Sequence, residues 1–284
     1  MSAVIEIKGL TKDFSLSEKG RYLRAVDHLD LTIERNSVFG LLGPNGSGKS
    51  TTIKILLGLS QPTSGSCRIL GNAPSDRLTR SKVGYLPDAP YYYRFLSGLE
   101  LMLFYAKLLG VPRCRRESRC RELLRDFGLS DAASRKVGAY SKGMLQRLGF
   151  AQSLIGDPEI LILDEPTAGV DPVGAAEVGD FIRRLKAEGK SILLCSHLLA
   201  QVQDVCDRVG IMNKGRLLAE GSLDELLATG DRTSLRIEGI DAETSKELER
   251  RATAAGGKVT PQGISLDALF RDLVENDEER ESEA

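Results

Sequence analysis

The sequence predicts an α/β fold built on a mostly parallel sheet, and three observations carry that expectation. Apolar runs of buried-strand length recur at Val38–Leu42, Ile160–Leu163, Ser191–Cys195 and Arg208–Met212, with helix-like stretches between them. A glycine-rich stretch, Gly43-Pro44-Asn45-Gly46-Ser47-Gly48-Lys49-Ser50-Thr51, separates the first run from a helical Thr52–Leu57. Two carboxylates, Asp164 and Glu165, close the second run at the strand end where ligands of such sheets bind.

The glycine-rich stretch has the spacing of a phosphate-binding loop, with its strand before and its helix after. Gly43, Gly46 and Gly48 let the backbone turn without Cβ clashes, so successive N–H groups point at phosphate oxygens. The helix adds unpaired N–H groups and the positive end of its dipole. Lys49 brings a full charge to the terminal phosphates, and the Ser50 hydroxyl is a ligand for Mg²⁺. The reading is a nucleoside triphosphate site. Asp164 is then expected to reach toward Mg²⁺, through water if the ion keeps its shell. Neighbouring strand residues face opposite ways, so Glu165 takes a separate role, orienting or deprotonating the attacking water. Cys195-Ser196-His197 ends the next run in the same way. His197 is placed to bond the γ-phosphate or that water, although a lone histidine is more often structural.

In chain order, Val4–Lys8 and Leu29–Ile33 alternate as half-exposed strands, with a polar loop at Ser15–Gly20 between them. Phe14 and Tyr22 flank that loop, and either ring stacks on a purine or packs on the sheet. Gln61–Gly65 is a turn, Ser66–Leu70 a short strand, and a strand from Val83 ends at Pro87-Asp88. Ser97 and Glu100 form a capping box for a helix over Leu99–Leu109, stopped by Gly110-Val111-Pro112. Arg115–Phe127 is an arginine-rich helix, read chiefly as a solvated face diluted by Glu117 and Glu122, with lipid headgroups or a partner as the other reading. The helical stretch from about 89 to 156 is an insertion in the sheet domain. Helices follow at Ala175–Ala187 and Leu198–Val205, and Asn213-Lys214-Gly215 turns into a strand at Arg216–Ala219. Beyond Thr233 lies a small α+β appendage, with a strand at Ser234–Glu238 and helices at Ala242–Ala255 and Leu266–Val274. Glu275–Ala284 holds six acids and one arginine, the composition of a disordered solubilising tail.

With 284 residues the chain has room for one large or two smaller domains. A formal charge of −1 gives no general attraction to nucleic acid or anionic lipid. No secretory pattern opens the sequence, and no apolar run approaches the roughly eighteen residues of a membrane span. Five scattered cysteines without a C-x-x-C, and two histidines, argue against a disulfide framework or a zinc site and fit a reducing cytosol.

Tyr140-Ser141-Lys142-Gly143-Met144-Leu145-Gln146-Arg147, just ahead of the strand ending Asp164-Glu165-Pro166, resembles the signature of ABC-transporter ATPases. Residues 1–228 resemble such a nucleotide-binding domain throughout, with Ala168-Gly169-Val170-Asp171 similar to its D-loop and His197 to its switch histidine. The resemblance implies a P-loop NTPase fold of ABC type, with an antiparallel β subdomain, an inserted helical subdomain over about 89–156, and a C-terminal extension over 229–274 before the tail. It implies ATP and Mg²⁺ as ligands and ATP hydrolysis coupled to transport. Two copies, identical or homologous, would pair head to tail, each P-loop's γ-phosphate meeting Ser141 and Gly143 of the other. Phe14 sits where the family places its base-stacking aromatic. The implied partner is a separate polytopic permease holding the ATPase on the inner membrane face, and the extension resembles those of ABC-2-type exporters. Two departures stand out: Asp88 occupies the usual glutamine position, a water-mediated Mg²⁺ ligand without the amide's donor, and Lys142 and Met144 replace a usual glycine and glutamine. Lys142 either adds charge toward the phosphate or points to solvent. Two other functions compete. A soluble ABC ATPase on ribosomes or DNA usually has two nucleotide domains or a coiled-coil insertion, neither present here; a P-loop metabolite kinase needs an acceptor site that the sequence does not show.

Overall fold

Alternating inward apolar residues make the first two strands long and antiparallel. In the computed structural model, which describes residues 2–16, 21–197, 202–228 and 241–254 with Phe270, Val274 and Asp277, β1 (Ala3–Leu16) pairs with β2 (Arg21–Glu34) in a register joining Ile5 to Ile33 and Phe14 to Leu23. The third strand of this sheet, β4 (Ser64–Ile69), lies antiparallel on the other side of β1. Ile5, Ile7, Leu10, Leu29, Leu31 and Ile33 are all buried, and this shared inner face fixes the register. Irregularities between Ile7 and Lys12 let pairing continue past the apolar stretch to Leu16 and Arg21. Ser15 and Leu16 therefore belong to the strand rather than to the expected loop, whose remainder, residues 17–20, lies outside the described residues.

The second sheet has six strands in the order β5-β6-β7-β3-β8-β9. They are β3 (Val38–Leu42), β5 (Val83–Leu86), β6 (Ile160–Asp164), β7 (Ser191–Ser196), β8 (Arg208–Asn213) and β9 (Arg216–Gly221). The pairings β5–β6, β6–β7, β7–β3 and β3–β8 are parallel. Only β9 breaks the pattern: the two-residue turn Lys214-Gly215, at φ +43° and +85°, leaves room only for an antiparallel neighbour. Strands buried on both faces need no alternation, so β3 and β7 are buried along their whole length.

The helical insertion leaves between β5 and β6, which are nevertheless sheet neighbours. It holds α3 (Gly98–Leu108), α4 (Arg113–Asp126) and α5 (Lys142–Ser153); α1 (Lys49–Leu56) and α2 (Arg77–Ser81) precede it. Leu101, Met102 and Ala106 of α3, Cys120, Leu123 and Leu124 of α4, and Leu148 and Phe150 of α5 are buried together with Phe127 and Leu129. Phe127 stacks on Phe150 at 6.0 Å, and both rings tilt against Phe181 of α6 (Pro172–Ala187). This three-ring contact ties the insertion to a helix of the sheet. The arginines of α4 are largely occupied: Arg121 pairs with Glu117, Arg119 with Glu122, and Arg116 donates to the Val111 carbonyl.

The chain divides into two units, Met1–Glu220 and Gly221–Ala284. The second shows helices at Leu223–Ala228 and Ala242–Ala254. The expected strand at 234–238, the tail region apart from Asp277, most of the helix at 266–274, and residues 198–201 of the helix expected at 198–205 fall outside the described residues.

The expected capping box is present in full: Glu100 N–H donates to Ser97 Oγ at 3.3 Å, and Ser97 N–H donates to Glu100 Oε2 at 2.7 Å. Ser97→Ala should lower stability by about 1 kcal/mol. Urea denaturation checks this, and an unchanged midpoint would mean that solvent satisfies the α3 terminus equally well.

Candidate functional site

Parallel pairing brings the ends of four strands to one edge. Leu42 lies beside Ser196, Asp164 beside Cys195, and Leu86 beside Leu163. The segments that follow these strands, 43–51, 165–171, 197 and 87–88, therefore start from the same rim.

The phosphate loop is shaped by its glycines for two different reasons. Gly48 caps α1 at φ +104°, and a Cβ there would stand 2.5 Å from the Ala25 carbonyl oxygen. Gly43 has ordinary φ, but a Cβ would lie 2.4 Å from both the Met212 carbonyl and Ser47 Oγ. No side chain caps α1 and no acid occupies its first turn, so its leading N–H groups remain open to an anion. By contrast α3, α5 and α6 are capped by Ser97, Ser141 and Asp171. Lys49 folds back, its ammonium donating to the carbonyls of Gly43 at 2.6 Å and Pro44 at 3.1 Å. Burial lowers its pKa, opposed by the nearby Glu165 and Asp164 charges. The Ser47 hydroxyl is buried with no hydrogen-bond partner, an orphan that a phosphate oxygen would satisfy. Asn45, Gly46 and Ser50 are exposed, with Pro44 and Thr51 half-buried beside them.

The two carboxylates separate, though not by the expected alternation along a strand. β6 ends at Asp164, and Glu165 turns away at φ +48°, a left-handed conformation uncommon outside glycine. Its N–H donates to the Cys195 carbonyl at 2.8 Å, which fixes the turn. The Glu165 carboxylate is then met by His197: Nδ1 lies 2.8 Å from Oε2, and the His197 N–H and Ser196 hydroxyl reach the same oxygen at 3.4 Å. The Glu165 side chain is 12% exposed and that of His197 47%, so the acid is held inside and the imidazole faces outward. Sequence gave these two residues separate roles; the structure makes them a pair. Asp164 has its pKa pushed up to about 6, first by burial and then by the charges of Glu165 and Asp88. Asp88, exposed beyond Pro87, also acts on Tyr85, whose hydroxyl is driven up to about 12 chiefly by burial.

The remaining expected residues stand apart. Phe14 is 40% exposed near the far end of the β1–β2 pair, and the Lys12 ammonium sits 5.0 Å from its ring centre, so one ring face is already covered. Ser141 and Gly143 occupy the N-terminus of α5, where Ser141 Oγ accepts from Met144 N–H at 3.3 Å and nothing crowds the Gly143 Cα. A contact the sequence left without a role is Gln146 on α5, which is buried and donates its side-chain amide to the Pro166 carbonyl.

A glycine-rich loop, a half-buried carboxylate at a strand end and a Glu–His pair thus share one rim, and the family model described as ABC transporter matches residues 26–168. The chain belongs to the ABC transporter family. An uncharacterized ABC transporter ATP-binding protein of Nostoc sp. is 45% identical over 75% of this chain and 64% of its own length, so this chain spans just under two thirds of that relative. A fluoroquinolones export ATP-binding protein of Mycobacterium tuberculosis is 39% identical over 83% of this chain and 76% of its own. A solved ATP-binding subunit of an ABC transporter superposes with a TM-score of 0.73 at 28% identity, covering 95% of this chain and 99% of that one.

The fold class expected from the sequence is thus found: an antiparallel β subdomain, a mostly parallel core sheet and helices of the ABC cassette type.

Two predictions follow from the rim. Gly48→Ala should abolish nucleotide binding while the chain still folds, because the Cβ meets a backbone oxygen and the φ is strained; retained affinity for ATP would remove Gly48 from the loop's function. Asp164 stands at about 6 folded against 3.8 for an ordinary carboxyl, so between those values the folded chain binds the extra proton and its stability falls as pH rises. Below 3.8 the cost vanishes, and above about 6 it is complete. Asp164→Asn should therefore gain on the parent between these limits and level off above, in denaturation without metal or nucleotide. A difference flat with pH would contradict it.

Proposed function

We propose that this chain is the ATP-binding and ATP-hydrolysing subunit of a membrane exporter, carried by a separate polytopic permease and working with a second ATP-binding subunit. The observation that carries the hydrolytic half is the Glu165–His197 pair, 2.8 Å apart on the rim that also bears the open α1 terminus. The exporter half is supported by the likeness to the fluoroquinolones export ATP-binding protein.

In this reading the backbone of 43–51, Ser47 and Lys49 bind the phosphates, Lys49 exchanging loop carbonyls for phosphate oxygens. Glu165 orients the attacking water and takes its proton, while His197 holds the carboxylate's direction and bonds the γ-phosphate. Phe14 offers its uncovered face to the base. Ser50 and Asp164 supply hard oxygen donors that suit Mg²⁺, with Asp88 acting through water. Among the described residues no group of three or more His, Cys, Asp or Glu side chains is placed to hold a metal, so Ser50 and Asp164 would hold the ion only together with phosphate oxygens and water. When bound, the ion neutralises charge on the phosphates.

Ser141 and Gly143 sit at the exposed N-terminus of α5, which Ser141 caps by one long bond, and we read them as contacts to the γ-phosphate of a second, head-to-tail cassette. ATP then holds the two cassettes together and hydrolysis releases them, shifting the permease between its states. The ATPase rests peripherally on the inner face of the cell membrane, with no role for nucleic acid.

Glu165→Gln should lower turnover by about 10²–10⁴-fold with ATP binding retained, as measured by phosphate release and by nucleotide titration. Full turnover in that variant would remove Glu165 from the role. Gentle solubilisation should bring down a polytopic protein at stoichiometric level, and recovery of ribosomes or nucleic acid instead would overturn the exporter reading.

A further inference from the structure

The signature lysine has a definite position. A Cβ built on Gly169 would fall 1.7 Å from Lys142 Nζ, 2.9 Å from Cε and 3.7 Å from Cδ, so the distal half of the lysine lies over the Gly169 backbone. Gly169 itself holds φ +64°. Four residues along α5, Gln146 donates its buried amide to the Pro166 carbonyl. Positions i and i+4 share one helix face, so a single edge of α5 touches both Pro166 and Gly169 of the segment between Glu165 and Asp171. The two acids bounding this segment are fixed by other bonds: Glu165 by the Cys195 carbonyl, and Asp171 by capping α6 through Gly174 N–H at 2.8 Å. Between them the backbone is supported by its own short turns, Ala168 N–H to Glu165 O and Val170 N–H to Thr167 O.

We infer that Lys142 is a positioning residue for Glu165, pressing with Gln146 on the segment that follows it, rather than a phosphate ligand. The inference rests on the proposed role of Glu165. Its physical content is that the Cys195 bond holds Glu165 on its N–H side, while on its carbonyl side the left-handed glutamate runs into tight turns that need support from outside to keep from rolling. Gln146 stops movement at the near end through a buried hydrogen bond, and Lys142 covers the far end by contact. The same contact gives Gly169 a second reason to lack a side chain, besides its φ: the space is already filled.

The test is steady-state ATPase kinetics on Lys142→Ala, Gly169→Ala and the double variant, each checked for unchanged thermal unfolding. Lys142→Ala should lower kcat about tenfold with KM for ATP within about twofold, since misplacement of a water-orienting group costs rate rather than binding. Gly169→Ala should displace the lysine and lower kcat also; its φ strain persists when Lys142 is already alanine but the displacement part is then lost, so the cycle is partly non-additive. A raised KM with kcat preserved would place the ammonium on phosphate and overturn the inference. So would unchanged kinetics, or effects that simply multiply. Glu165→Gln in parallel separates the levels: if that variant keeps full turnover the underlying site reading fails, whereas its loss beside a silent Lys142→Ala sinks the positioning role alone.

Discussion

The structure depends on the parallel register of β6, β7 and β3. Setting Asp164 beside Cys195 and Leu42 beside Ser196 makes three strand ends finish on one line. Everything chemical follows from that line: the phosphate loop leaves β3, the carboxylates leave β6, and Ser196-His197 close β7. Because side chains alternate along a strand, a slip of one residue between β6 and β7 would exchange their two buried faces, undo the packing on both sides, and separate Glu165 from His197. The fully buried runs Ile160–Leu163 and Ser191–Cys195 make such a slip expensive, so the core that stabilises the sheet also aligns the site.

This alignment concentrates unfavourable features on the rim. Asp164 is a half-buried carboxylate beside two other acids, Lys49 is a buried cation, Glu165 holds a left-handed backbone, and Ser47 is a buried hydroxyl without a partner. Each is individually costly. Two of them offset one another, since the Lys49 charge lowers the Asp164 pKa while Asp164 and Glu165 raise that of Lys49. The other two stay uncompensated within the chain: Glu165 keeps its left-handed backbone, and the Ser47 hydroxyl keeps a lone pair and a proton that an anion in the proposed site would satisfy. A local rule broken at several adjacent points, inside an otherwise consistent fold, is the physical mark of a ligand site.

What was legible in the sequence was what is decided locally. The Ser97–Glu100 box and the apolar runs of the sheet act through neighbours within a few residues, and the structure reproduces them closely, whereas Gly43 and Gly48 are also demanded by the distant Met212 and Ala25 carbonyls. The Arg121–Glu117 pair shows the same for α4, where spacing alone foretold a solvated face. Glu165 was read correctly as distinct from Asp164 but for the wrong reason, because strand alternation was assumed where the chain had already left the strand. Its meeting with His197 spans 32 positions in the chain and depends on sheet order, which no local pattern states. Gln146 and Lys142 were visible as letters of a signature, yet their contacts with Pro166 and Gly169 are set by how α5 leans on another loop.

The helix termini carry the last step. Serine and aspartate caps are the ordinary solution to unpaired N–H groups, and Ser97, Ser141 and Asp171 apply it to α3, α5 and α6. At α1 the cap is Gly48, which offers no side chain, and the first turn has no acid to take its place. A cap at this terminus would stabilise the empty chain and occupy the very donors that an anion needs. Ser141 is the intermediate case: its hydroxyl accepts from Met144 N–H at 3.3 Å, a long bond on an exposed terminus, and Gly143 beside it opens the backbone to approach. Such a terminus is satisfied well enough to fold alone and weakly enough to exchange its bond for a stronger acceptor. The chain thus has two helix N-termini satisfied to different degrees: α1, left without a side-chain cap on the rim, and α5, held by one long serine bond.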